Sequence, residues 1–153
     1  MKFLSALILT LSFSTVASAQ TEMEEQIALA RQSAHTDRQV LIMGNVHFTA
    51  NESAEFWPAW KQYRVAMAAN TDRMLALIID FAGHYEEMTD LKANELLVDS
   101  FSIRMQDLVI KQQFAKDISK FMPAKKIMRV IQIENKLDAA LQMKLASEIP
   151  LVK

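Results

Sequence analysis

Few residues in this chain carry chemistry, and their spacing decides what they can do. The histidines are His35, His47 and His84. None falls in a His-x-x-x-His or Glu-x-x-His pattern, the spacings that bring two ligands to a metal on one helix face. His84 with Met88 four residues on, beside Tyr85, has some soft-metal character; its plainer reading is a core or interface histidine. Cysteine is absent, which removes thiolate metal sites, cysteine nucleophiles and disulfides together. Glu134 and Asp138 stand four apart, on one face of a helix. A carboxylate pair acting as acid and base also needs a cleft and an opposing group. Pairing with Arg129, Lys136 or the bases of the preceding helix accounts for both without catalysis. No glycine-rich phosphate loop, nucleophile elbow or Ser/His/Asp set can be assembled. No catalytic residue, cofactor site or metal site is expected, and the chain does not read as an enzyme.

Two broader patterns remain. Nine methionines follow the start methionine, and most recur at helical core spacing, as flexible filler does; an adaptable apolar surface or a metal buffer are the alternatives. The second pattern is basic and apolar together. Lys111, Lys116, Lys120, Lys125, Lys126 and Arg129 are interleaved with Phe114, Phe121 and Met122, against the single acid Asp117. One reading is a solvated face paired with acids elsewhere in the chain. The other is a mixed face that binds unfolded or membrane-associated polypeptides, or an acidic partner. That second reading selects Phe101, Lys111, Phe114, Lys116, Lys120 and Phe121 as partner-contacting residues. Charge is divided to match: residues 20–99 carry a net −7 and residues 100–153 a net +5. A split of that kind usually signals pairing of an acidic helix with a basic one, within the chain or between subunits.

The elements that must position these residues are long. From Phe56 to Met88, positions alternating by four and three give Phe56, Trp60, Tyr63, Met67, Asn70, Met74, Leu77, Phe81, His84 and Met88. That is one side of an α-helix of about nine turns, roughly 50 Å. Thr49-Ala50-Asn51-Glu52 supplies a capping box before it, and Pro58 and Gly83 weaken it from within. Thr89 caps a third helix from Asp90 to about Phe121. One of its stripes holds Leu97, Phe101, Met105, Leu108, Ala115, Ile118 and Met122; a second holds Leu96, Ile103, Ile110, Phe114 and Phe121. A helix apolar on two sides is central to a bundle or meets a partner. Pro123 separates it from a fourth helix that stops before Pro150. An earlier helix spans about Thr21 to Met43 and closes at Gly44-Asn45. With two glycines, three prolines and no strand alternation, the expected fold is all-α. Four helices are expected, the two long ones antiparallel, in an elongated bundle or hairpin.

Residues 1–19 read as a secretory signal peptide. Lys2 is the positive start, Phe3 to Phe13 the apolar run, and Ala17-Ser18-Ala19 the cleavage signal. An exported chain of residues 20–153, forming a single helical domain in the periplasm with no later membrane span, follows from that reading. Export leaves no nucleic-acid partner.

Export, the lack of cysteine and the helix-start sequences Phe48-Thr49-Ala50-Asn51-Glu52 and Met122-Pro123-Ala124-Lys125-Lys126 together resemble the Spy/CpxP-like family. That family's repeated Leu-Thr-x-x-Gln motif is here degenerate. A closer likeness, to uncharacterised exported bacterial proteins, rests on Phe56-Trp57-Pro58 and on a C-terminal run. That run comprises Pro123 to Lys126, Arg129, Gln132, Glu134, Leu137-Asp138 and Ile149 to Val152. The resemblance implies an ATP-independent chaperone or envelope-stress adaptor, working as a cradle-shaped homodimer whose long helices line the concave face. A metal-binding sensor and a purely structural dimer are the rival expectations.

Overall fold

The computed structural model describes residues 36–152, and within that span the backbone but not the side chains of 144–148. The expected signal peptide, its cleavage site and the first part of the first helix lie outside the described residues. The chain divides into two units, Met1–Leu41 and Ile42–Lys153. Of the first, residues 36–41 are helical, and the helix, α1, runs on to residue 45. The second unit carries everything that follows.

Thr49 starts the next helix through a reciprocal capping box. Its hydroxyl accepts from the Glu52 N–H at 3.2 Å, and Glu52 Oε2 accepts from the Thr49 N–H at 2.7 Å. Two of the amides that a helix start leaves unpaired are satisfied in this way. The helix, α2, is Ala50–His84 and contains Pro58. It ends before Met88, the last member of the long stripe, which lies in the following turn. Gly83 in the final turn lowers the gain from extending further. The Thr89 hydroxyl then accepts from the Lys92 N–H at 3.2 Å and opens α3, Asp90–Ile118. This helix stops short of Phe121. Pro123 disfavours helical backbone at Met122, and the last turn tightens, with Lys120 N–H on Asp117 O and Phe121 N–H on Ile118 O. Pro123 is the N-cap of α4, Ala124–Glu148, which has no side-chain cap.

Contacts fix the directions. Along α2, Tyr63 meets Phe114, Asn70 meets Ile103 and Asp107, and Asp80 meets Lys92. As α2 rises, its partners in α3 fall, so the two long helices are antiparallel. Glu52 meets Lys126 and Trp60 meets Glu134, so α4 runs parallel to α2. It returns against α3, where Lys111 reaches Asp138 at 2.8 Å. The unit is all-α, as expected, and no strand occurs among the described residues.

The core gathers where α2, α3 and α4 are all present. Ile42, Val46, Phe56, Trp60, Tyr63, Met67, Phe114, Ile118, Met122 and Val130 are buried and in mutual contact. Each large side chain fully buried there contributes about 1.5–3 kcal/mol of transfer free energy. Toward the α2–α3 turn the same stripe of α2 is less covered: Met74, Leu77 and Phe81 are half-buried and His84 is exposed. The stripe is therefore core in its first half and only partly covered in its second.

Candidate functional site

Between the first half of α2 and the second half of α3, on lining that α4 does not reach, lies a groove of about 580 Å³. Small side chains make it. Ala59 and Ala66 stand seven residues apart on α2 and leave space where larger residues would fill the gap. The floor is aromatic: Tyr63 stacks on Phe114 with centroids 4.4 Å apart and planes 12° from parallel. Ile110 and Phe121 extend the apolar surface. Around the rim stand Gln62, Gln106 and Gln113, carboxamides that can both donate and accept, with Glu55, Asp117 and Lys120. Asp117 accepts from Lys120 Nζ at 2.7 Å and from Gln113 Nε2 at 2.9 Å. Those two donors, Lys120 first, hold its carboxyl below the ordinary carboxylate range. The arrangement suits apolar side chains on a polar backbone: an oily slot with hydrogen-bonding edges.

The six residues selected from sequence do not form one site. Phe114, Lys120 and Phe121 belong to the groove, Phe114 as buried floor and Phe121 half-buried. Lys116 is exposed. Lys111 turns toward α4, donating to Asp138 and to Asn135 Oδ1 at 2.9 Å. Phe101 is exposed on the outer face of α3 with Leu97, Met105 and Leu108. The second stripe of α3 is the packed one, and the first faces outward until Ala115 and Ile118 bring it back to the core.

The basic run is largely engaged, by different partners. Lys126 holds Glu52 of the acidic half at 2.6 Å, while Arg129 donates to the Asn45 carbonyl at 3.2 Å. Lys111 and Lys120 pair with acids of their own half. Glu134 corrects an expectation: it pairs with neither Arg129, Lys136 nor a base of α3. Fully buried, it accepts from Trp60 Nε1 at 2.8 Å and Arg64 at 3.3 Å, both on α2. Asp138, one turn on, faces Lys111 of α3 as anticipated. Adjacent turns of α4 therefore grip different helices. Asn70, a polar interruption of the α2 stripe, donates to Ile103 O and Asp107 Oδ1, each at 2.8 Å, and accepts from Arg73.

His84 Nδ1 lies 3.0 Å from Asp80 Oδ1. Among the described residues no three His, Cys, Asp or Glu side chains come together as a metal would need, and no helix is long and apolar enough to cross a membrane. The groove residues that sequence reasoning missed are Glu55, Ala59, Ala66, Val109 and the three glutamines. The recurrence of alanine seven residues apart on one face was the available signal. Comparison with protein-family models, with curated proteins and with solved structures finds no match to this chain.

Proposed function

We propose that this is an exported, periplasmic, non-enzymatic protein that binds non-native polypeptides or an envelope-stress partner in the α2–α3 groove, without nucleotide. The observation that supports the reading is the groove itself. It joins an aromatic floor to a rim of carboxamides and opposed charges, and so accommodates an apolar side chain while serving the peptide groups beside it. A surface of this kind favours varied sequences over one, because apolar contacts are non-directional and glutamine side chains adapt.

The test is suppression of aggregation of a chemically denatured client at near-stoichiometric amounts. Ala66→Phe should fill the slot and Lys120→Glu should reverse the charge at its rim. Each should raise the amount of protein needed by about fivefold, the scale of 1 kcal/mol, with helical circular dichroism unchanged. Absence of suppression by the unaltered protein, or full activity in both variants, would sink the reading. Export is checked separately by cell fractionation and amino-terminal sequencing, with Gln20 the expected first residue.

A further inference from the structure

A second pocket, of about 180 Å³, shares no lining residue with the groove. It forms where the second half of α4 passes α2 and α3. Its interior is apolar: Met67, Met74 and Ile78 of α2, Ile103 of α3, Leu141 of α4, and Ile149 just beyond that helix. Two flexible thioethers among branched side chains let such a space adjust to aliphatic or aromatic groups. An apolar cavity of about 150 Å³ takes a benzene ring, so this pocket has room for one large apolar side chain and not for a long hydrocarbon.

Charge at the rim comes as one pair of opposite sign. Asn70 is buried and donates to Ile103 O and to Asp107 Oδ1, each at 2.8 Å. Those bonds fix the Asp107 carboxylate on the pocket lining, where its second oxygen can accept from a ligand. Arg104, one turn earlier on α3, is exposed and lines the pocket as well; a guanidinium suits a carboxylate. The other charge on the lining, Asp138, is met by Lys111 Nζ at 2.8 Å, and that bond ties α4 to α3 beside the pocket. Among the described residues, Asp107 and Arg104 belong to no ion pair.

We infer that this pocket binds a free amino acid with a large apolar side chain, of the leucine, methionine or phenylalanine kind. The side chain enters the space between Met67, Met74 and Leu141, the ammonium group meets Asp107, and the carboxylate meets Arg104. Residues three apart on a helix have Cβ atoms about 5–6 Å apart, a spacing that two charged groups on one carbon can bridge. Gln142, on the α4 side of the lining, adds a carboxamide able to serve either group. The same side chain inside a polypeptide lacks both charges, so the site selects the free amino acid and is separate from polypeptide binding in the groove.

Titration calorimetry of the full protein with leucine and with phenylalanine tests this. One-to-one binding is expected, with a dissociation constant below about 1 mM for at least one of them. Glycine lacks the side chain, 4-methylpentanoate the ammonium group and isoamylamine the carboxylate; each should bind about tenfold more weakly than leucine. Asp107→Asn keeps an acceptor for Asn70 and removes the charge. It should weaken leucine about tenfold and leave 4-methylpentanoate no weaker, while Arg104→Gln should weaken leucine and spare isoamylamine. Methyl resonances locate the ligand: those of Met67 and Met74 should shift on adding leucine, and that of Met122, in the core cluster and not on the pocket lining, should not. Dissociation constants above about 1 mM for both amino acids, equal affinity for leucine and 4-methylpentanoate, or full affinity in Asp107→Asn overturns the proposal. Helical circular dichroism checks each variant, and if Asp107→Asn fails to fold, the ligand series and the methyl shifts decide. None of these outcomes bears on aggregation suppression through the groove.

Discussion

Phe56 and Phe81 lie on the same stripe of α2, and the chain treats them differently. Phe56 is fully buried, with Phe48 at 4.6 Å, Trp57 at 5.0 Å and Phe114 at 6.1 Å between ring centroids. Phe81 is half-buried, and its ring contact is with Tyr85, just beyond the end of its own helix, at 5.7 Å. The difference is α4. Around Phe56, α3 and α4 both face α2, and polar links tie them: Glu52 to Lys126 and Trp60 to Glu134. Around Phe81, the links are Asp80 with Lys92 at 2.7 Å and with His84 at 3.0 Å, on side chains partly open to water. A stripe of apolar residues thus states only which side of a helix is available to be covered. How much is covered depends on how many neighbours arrive. Stability should be uneven along α2, with the α2–α3 turn end opening first.

Removing one ring at each end of α2 tests whether the two ends are packed unequally. Phe56→Ala should cost about 3–5 kcal/mol, as for a large ring removed from a packed core, while Phe81→Ala should cost about 1 kcal/mol because much of its surface is already wet. Urea unfolding of the two variants measures the difference, and equal costs would mean the ends are equivalently packed. Next in size is the buried carboxylate. Glu134→Ala strands the Trp60 indole N–H and the Arg64 guanidinium, and should cost about 3 kcal/mol. Glu134→Gln keeps an acceptor for the indole and should cost roughly half as much. A smaller loss in the Ala variant than in the Gln variant would show that Glu134 is not the tie between α2 and α4.

The smallest effect is electrostatic. Glu52 is held below its ordinary value of 4.5, first by the Lys126 ammonium and then by the Thr49 amide. Asp80 is lowered chiefly by Lys92, and Lys92 is raised chiefly by Asp80. A carboxyl depressed on folding adds stability that is complete above its unfolded value and fades as pH falls through the folded one. A lysine raised on folding adds stability that is complete below its ordinary value and fades as pH climbs through the folded one. Both ends should therefore weaken in acid, and the α2–α3 turn end should weaken again above pH 10.5. Thermal melts across pH of Glu52→Gln and Asp80→Asn separate the two. Only Asp80→Asn should flatten the alkaline limb; an unchanged alkaline limb in that variant would remove Lys92 from the account.

Local chemistry was legible in the residues, and long-range pairing was not. Thr49 with Glu52, and Thr89 with Lys92, announce their helices because a cap involves residues three apart. Pro123 marks the α3–α4 break for the same reason. The stripe continues to Met88 after the helix has stopped at His84, so periodicity alone carries α2 a turn too far. Glu134 finds Trp60 across 74 residues of chain, and nothing in its neighbourhood names that partner. The six candidate residues are near neighbours in sequence. On a helix, proximity in sequence distributes residues around the axis, so Lys111 went to α4, Phe114 to the core and Phe101 to the outside. The two stripes of α3 are chemically alike, and only the arrival of α2 distinguishes inward from outward.

The aromatic cluster around Phe56 also determines what light can report. Both tryptophans of the chain, Trp57 and Trp60, stand in it, 5.4 Å apart and edge to face, each with its indole N–H bonded, to Ser53 and Glu134. Tryptophan fluorescence, excited selectively at the red edge, therefore watches one neighbourhood. Loosening at the α2–α3 turn would pass unseen by emission while far-ultraviolet dichroism falls, so a mismatch between the two signals would map where the molecule yields first.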